Sequence, residues 1–166
     1  MKLPFPLNPD FEQIKQTLRL NAFSIWKIPL IFITQPRVIE LSESACKLKM
    51  PLNYWTKNHL GSMYFGALSI GADCAAGLFA LHIAEKRKIK ISFVFASFMA
   101  TFHKRPEGPV VFVCEDSIAI NRLFDKAVQT KERQTELIEI RAYLEGQENK
   151  EPVASFSLGL SIKVKN

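Results

Sequence analysis

Apolar residues recur along the chain with two periods, and the switches between them sketch the fold. In residues 10–28, Phe11, Ile14, Leu18, Ala22 and Ile25 fall on one helical stripe. Pro9-Asp10 supplies a start for that helix and Pro29 an end. Residues 37–50 read as a strand, in which Val38, Glu40, Ser42 and Ser44 alternate only imperfectly with Ile39, Leu41 and Glu43. After the loop "PLNYWTKNHLGS" comes a long helix from about Met63 to Lys86, apolar nearly all round. "IKISFVFASFMATFHK" is a long strand, "RPEGP" a turn and "VVFVCE" a return strand, a pattern that predicts a hairpin. Residues 117–130 return to helical spacing through Ile120, Leu123, Phe124, Ala127 and Val128, with Asp116 or Ser117 as cap. "TELIEIRAYLEG" and "VASFSLGLSIKVK" alternate as strands on either side of the turn "EGQENKEP".

This order predicts an α+β domain in which a sheet of about five strands wraps the long helix. Enclosure by a sheet is the state that suits a helix with no polar face. The 166 residues fit one domain, with residues 1–36 as an N-terminal helical extension. Residues 91–102 are apolar on both faces, and such a strand is normally covered on both sides. The central helix can cover one face, and the stripe Phe11, Ile14, Leu18 and Ile25 is the expected cover for the other.

Charge and cysteine content narrow the class. The formal net charge is +6, but the positive residues are scattered, which describes a solvated surface rather than a nucleic-acid interface. Two short clusters, Lys86-Arg87-Lys88 and Lys104-Arg105, are placed to meet the phosphates of a small anionic ligand. Cys46, Cys74 and Cys114 have no redox or metal-ligand spacing and read as buried thiols of a cytoplasmic protein. His82 and His103 have no partner at ligand spacing, so neither a metal nor a cofactor is expected. "MKLPFPLNPDF" contains no apolar signal-peptide core.

The long helix is also long enough to cross a membrane. Asp73 at its midpoint argues against that, costing about 2.5–3.5 kcal/mol on insertion scales. His82 and the four glycines of this stretch weaken the case further, so no span is expected. In a soluble core the same acid is expensive unless it is hydrogen-bonded, paired or used in chemistry. One reading of Asp73 is a structural hydrogen bond, and the other is a carboxylate held in a cleft to activate water or act as nucleophile.

Asn58, Gly61-Ser62, Gly66 and Asp73 resemble the motif of hotdog-fold acyl-CoA thioesterases of the phenylacetate-pathway type. Their signature, Asn-x-x-Gly-[Ser/Thr]-x-His-Gly-Gly, is followed by an acid seven residues after the last glycine. Here it reads "NHLGSMYFG" and then "ALSIGAD". The helix start and the run Phe98-Met99-Ala100-Thr101-Phe102 are also similar to an uncharacterised hotdog branch. The resemblance implies a hotdog fold and hydrolysis of acyl-CoA or an acyl-carrier thioester. Asp73 would then be the base or nucleophile, and the backbone amide of Phe65 would polarise the carbonyl at the positive end of the helix. Asn58 would orient water or the carbonyl, and Ser92 would supply a supporting hydroxyl. Tyr64, Gly66 and His59 would line the substrate, while Lys104 and Arg105 would hold CoA phosphates. Tyr64 stands where the family has histidine and Phe65 where it has the first of two glycines, so the approach to the amide is narrowed.

Phe65 and Asp73 are eight residues apart, about 12 Å along a helix. A thioester carbonyl and its attacker must come within roughly 3–3.5 Å. One helix cannot supply both groups, so a catalytic site requires a homodimer or a dimer of dimers. Two other functions fit the same residues. His59 and Asp73 have the separation of the acid–base pair in hotdog dehydratases or hydratases, although the proline-glycine turns between them are missing. A non-catalytic module that binds an acyl thioester is favoured by the bulk of Tyr64 and Phe65.

Overall fold

A computed structural model describes residues 11–165. The expected helix start at Pro9-Asp10 and the proline-rich terminus lie outside the described residues. Two helices, α1 (Phe11–Lys27) and α2 (Pro29–Thr34), precede the sheet. Pro29 ends the first and begins the second, because its missing N–H matters least in a first helical turn. Then follow β1 (Arg37–Leu41), β2 (Cys46–Met50), α3 (Phe65–Lys86), β3 (Ile91–Phe102), β4 (Val110–Cys114), α4 (Ser117–Thr130), β5 (Gln134–Leu144) and β6 (Ala154–Val164). The six strands form one antiparallel sheet in the order β1-β2-β4-β5-β6-β3.

Two expectations are corrected. Residues 37–50 form two strands, because Ser42 makes a turn without glycine or proline. Its backbone N–H donates to the Ala45 carbonyl (2.9 Å) and its hydroxyl accepts from the Ala45 amide (3.1 Å). The turn lets the chain double back, so the sheet has six strands rather than about five. The predicted β3–β4 hairpin does not form either. β3 pairs along its length with β6, from Ile91 opposite Val164 to Phe102 opposite Ala154, while β4 lies between β2 and β5. The main-chain N–H groups of His103 and Lys104 go to the Val153 carbonyl, which carries the chain away from β4.

Helix α3 is enclosed as its composition demands. It contacts β2, β4, β5 and β6, and Phe79, Ala72, Ala75, Ala76 and Ala80 are fully buried. The core beneath is built from Leu48, Met50, Phe112, Ile138, Ile140 and Phe156. In the most apolar part of α3, 67% of residues are buried inside the fold, so its hydropathy is that of a core helix. At Gly71 the helix lies so close to the sheet that a methyl group there would overlap the ring of Phe112. Arg87, one residue past the end of α3, is fastened to α4 through Asp125 (2.7 Å) and Asn121 (2.6 Å).

The N-terminal helices dock differently from expectation. α1 lies against β1 and α2, and α2 touches α3. The face of α1 turned inward carries Leu20 and Ser24, while Phe11, Ile14, Leu18 and Ile25 face outward. Docking is partly polar: the Val38 amide donates to the Thr17 hydroxyl (3.0 Å), and Ser24 satisfies itself on the Leu20 carbonyl (2.6 Å). The Phe11–Ile25 stripe therefore does not cover β3. A bulge between Phe95 and Ser97 shifts the alternation, so Phe98 and Phe102 join Phe93 and Phe95 on the core face and pack on Phe156, while Val94 and Met99 on the second face remain exposed.

Replacing Gly71 by alanine should destabilise the fold by about 1–3 kcal/mol, the usual range for overpacking a full core. Chemical denaturation of Gly71→Ala beside Gly71→Ala/Phe112→Leu tests this, because the smaller side chain facing the helix should return part of the loss.

Candidate active site

The loop before α3 is shaped by Asn58. Its side-chain oxygen accepts the amides of Leu60 (2.9 Å) and Ser62 (3.2 Å), and its side-chain nitrogen donates to the Ser62 hydroxyl (3.1 Å). Gly61 completes this turn with a φ of +78°, a conformation that favours glycine. The side chain of Asn58 is thus engaged in holding the loop. Two further bonds fix where the helix begins, from the Tyr64 amide to the Thr56 carbonyl (2.8 Å) and from the Met63 amide to the Pro106 carbonyl (2.9 Å).

Tyr64 is the residue before α3 and Phe65 its first residue. The first intrahelical bond is that from the Leu68 amide to the Tyr64 carbonyl (3.0 Å). The amides of Phe65, Gly66 and Ala67 precede that bond, as at any helix N-terminus, and converge at the positive end of the helix dipole. Gly66 is glycine for a local reason: a side chain there would run into the ring of Tyr64. The Tyr64 ring also meets that of Phe65 at 4.6 Å between centroids, and Phe65 in turn lies 6.5 Å from Phe102. His59 is exposed in the loop.

The second half of the site lies two turns along α3. Asp73 lines a cavity of about 380 Å³ between the N-terminal helices, α3 and β3. Among the described residues it has neither an ion pair nor a hydrogen bond, so no neighbouring strand of the same chain supplies a structural bond to this acid. Burial alone holds its carboxyl above the usual carboxylate range. Cys74, also lining the cavity, has its thiol raised far above the usual value by burial and then by the neighbouring Asp73 charge. It is therefore an inert thiol at neutral pH. Phe93 and Phe95 close the cavity on the β3 side, whereas Ser92 alternates to the other face of the strand.

The basic pairs sit at opposite ends of α3. Lys104 and Arg105 follow β3 and adjoin the helix start, since the Pro106 carbonyl receives the Met63 amide. Both are exposed and pair loosely, Lys104 with Glu151 (3.0 Å) and Arg105 with Glu107 (3.8 Å). Lys86 lies 3.7 Å from Glu43 at the other end of the helix, and Arg87 is committed to α4. The structure thus places Asn58, His59, Tyr64, Phe65, Gly66, Lys104 and Arg105 around the helix start, with Asp73 apart from them. What sequence reasoning missed are the cavity walls from the N-terminal helices, Leu20, Ile28 and Ile31. The only available signal was the weak polar-apolar face opposite the evident stripe.

Residues 18–154 match the family described as Domain of unknown function (DUF4442). The chain belongs to that family. No curated protein matches this DUF4442 chain. Its architecture is similar to that of a protein of unknown function from Chlorobaculum tepidum, with 16% identity over 93% of this chain and 97% of the other and a TM-score of 0.78. A Pseudomonas aeruginosa protein described as a probable thioesterase of unknown function shares 20% identity over 98% and 99% of the chains, with a TM-score of 0.73. A thioesterase from Haemophilus influenzae gives 15% identity, 89% and 90% coverage and a TM-score of 0.67. At these identities the likeness establishes the fold alone, and the DUF4442 chain has the hotdog fold, a sheet wrapped around one long helix.

The raised pKa of Asp73 has a definite sign in stability. The folded state holds the proton more tightly than the unfolded chain does. The stability so gained is present below the unfolded carboxylate pKa and is lost as pH rises through the folded value. Asp73→Asn should therefore melt at or above the wild-type temperature at neutral pH, with the gap closing as pH falls through the carboxylate range. A variant that melts well below the wild type at neutral pH would reveal a stabilising bond to the carboxylate.

Proposed function

We propose that the protein hydrolyses acyl thioesters, acyl-CoA or acyl-carrier, at composite sites of a homodimer. The observation that carries this is an unpaired, partly buried carboxylate at an apolar cavity, on the same helix whose N-terminal amides can polarise a carbonyl. The descriptions of the P. aeruginosa and H. influenzae proteins, which share this fold, support the same chemistry. Asp73 acts as general base toward water, or as nucleophile, and the Phe65 amide of the second protomer holds the developing oxyanion. Asn58 serves as a positioning residue that builds the loop in front of that amide. Lys104 and Arg105, beside the helix start, attract the phosphates of the CoA or carrier arm.

Dimerisation has its own physical support. β3 is a twelve-residue edge strand with apolar side chains on its outer face, Met99 being 70% exposed. An edge of that length and character is a template for pairing with another chain. A second copy paired along β3 would continue the sheet and extend both of its apolar faces, with Val94 and Met99 on one and Phe98 and Phe102 on the other. The competing reading is a module that binds a thioester without turnover, favoured by one feature: the exposed Tyr64 and Phe65 rings crowd the helix start.

Release of free thiol from a panel of acyl-CoAs decides between them. Asp73→Asn should lower kcat by about 10²–10⁴ while leaving the dimer intact. Because a raised pKa keeps Asp73 protonated to higher pH, wild-type activity should fall on the acid side above the range of an ordinary aspartate. Phe65→Pro removes the amide at a position where a helix tolerates proline. Mixed dimers of Phe65→Pro and Asp73→Asn should regain activity absent from either alone, since each keeps one complete site. No thiol release from any acyl-CoA, despite binding, would establish the module instead.

Lys104→Ala/Arg105→Ala should raise KM several-fold with a smaller change in kcat, and the difference should shrink with salt. An unchanged KM would move phosphate recognition to other residues.

A further inference from the structure

The cavity beside Asp73 extends well beyond what a reacting carboxylate needs. It runs along α3 from Asp73 through Gly77 and Leu78 to Leu81, which is about 12 Å at 1.5 Å per residue. Its floor is that helix face and its side wall is Phe93 and Phe95 of β3. Its roof comes from the N-terminal helices: Leu20 and Phe23 of α1, Ile28 before α2 and Ile31 within it lie across the top. At the far end the walls become polar, where Arg19 and Glu85 approach to 3.4 Å next to His82.

Gly77 is the informative residue. A glycine inside a helix is unfavourable, so each has to be explained by what lies in front of it. At Gly66 that is the ring of Tyr64, and at Gly71 the ring of Phe112. At Gly77 nothing crowds the site; the ring edge of Phe93 stands at 3.4 Å, ordinary contact distance, and the cavity opens beside it. One helical turn beyond Asp73, the missing side chain keeps the channel open halfway along its length.

We propose that this channel takes the apolar chain of the substrate, and that the N-terminal helices roof it and set its length. The inference rests on the thioester reading for the identity of the head group. The channel's volume of about 380 Å³ lies within the roughly 300–1,000 Å³ typical of small-molecule sites. Backbone geometry of about 3.3–3.6 Å per three bonds converts 12 Å into about ten bonds of extended chain. The occupant is therefore a medium-length, saturated or otherwise linear acyl group. Longer chains would have to displace the Arg19–Glu85 contact, and short ones would leave the roof unfilled.

Calorimetric titration with non-hydrolysable alkyl-CoA thioethers, from ethyl to hexadecyl, separates this proposal from the hydrolytic one. Wild-type protein should bind chains near decyl best. Gly77→Leu, which fills the channel at its midpoint, should weaken decyl binding about tenfold or more and move the optimum toward short chains. Phe23→Ala, which opens the roof, should move it toward longer ones. If Gly77→Leu does not fold, Leu20→Trp lowers the roof from the opposite wall and carries the same expectation. Chain-length-selective binding with no hydrolysis of any thioester would uphold the channel and overturn the hydrolytic function. Hydrolysis and binding that ignore chain length, or a folded Gly77→Leu protein that binds decyl-CoA thioether as the wild type does, would overturn the channel.

Discussion

The enclosure of α3 is the constraint from which the rest follows. A helix of this composition has no face to offer water, and Phe79 alone is worth about 1.5–3 kcal/mol when fully buried. The sheet must curve around it, drawing β2, β4, β5 and β6 onto one side. The remaining side of the helix, where Asp73, Gly77 and Leu81 lie, meets Phe93 and Phe95 of the edge strand β3 and the N-terminal helices. In this chain the N-terminal helices touch α3 through α2 and through Arg19–Glu85, and leave a cavity between those contacts. A polar group can survive on that side because solvent or a ligand reaches it through the cavity.

The legibility of the fold in the sequence depended on how far apart the interacting residues were. α3, α4, β5 and β6 were readable because one long hydrophobic period defines each, and α4 spans Ser117–Thr130 as its spacing implied. The β1–β2 turn was hidden because a serine hydroxyl did what glycine or proline usually does. The pairing of β3 with β6 was also hidden, since "RPEGP" marks a change of direction but not the identity of the neighbouring strand. The orientation of α1 was misleading for a different reason. Its stronger apolar stripe faces away from the rest of the chain, and the buried side is the one whose serine and threonine bond within the chain.

The candidate site divides in the same way. Asp73 was conspicuous because a lone charge interrupts an apolar run. The start of α3 was conspicuous through "NHLGSMYFG". The connection between them was not, because a cavity belongs to surfaces brought together from residues far apart in the chain. Leu20 and Phe93 have no sequence feature that marks them as neighbours. Ser92 shows the cost of judging by position alone: one step along a strand exchanges a side chain facing the cavity for one facing the other way.

The contact between Gly71 and Phe112 bears on more than packing. An aromatic ring seated in a notch of a helix opposes both sliding along the axis and rolling about it. Asp73 is only two residues further on, so this detent transmits the position of the sheet directly to the acid. The N-terminal roof is held to α3 by the packing of α2 and by the exposed Arg19–Glu85 pair, with no ring seated in a helix notch. The acid is thus registered by the sheet, whereas the shape of the cavity is set by the N-terminal helices. The outline of the cavity could be recut many times during evolution without disturbing the alignment of the carboxylate.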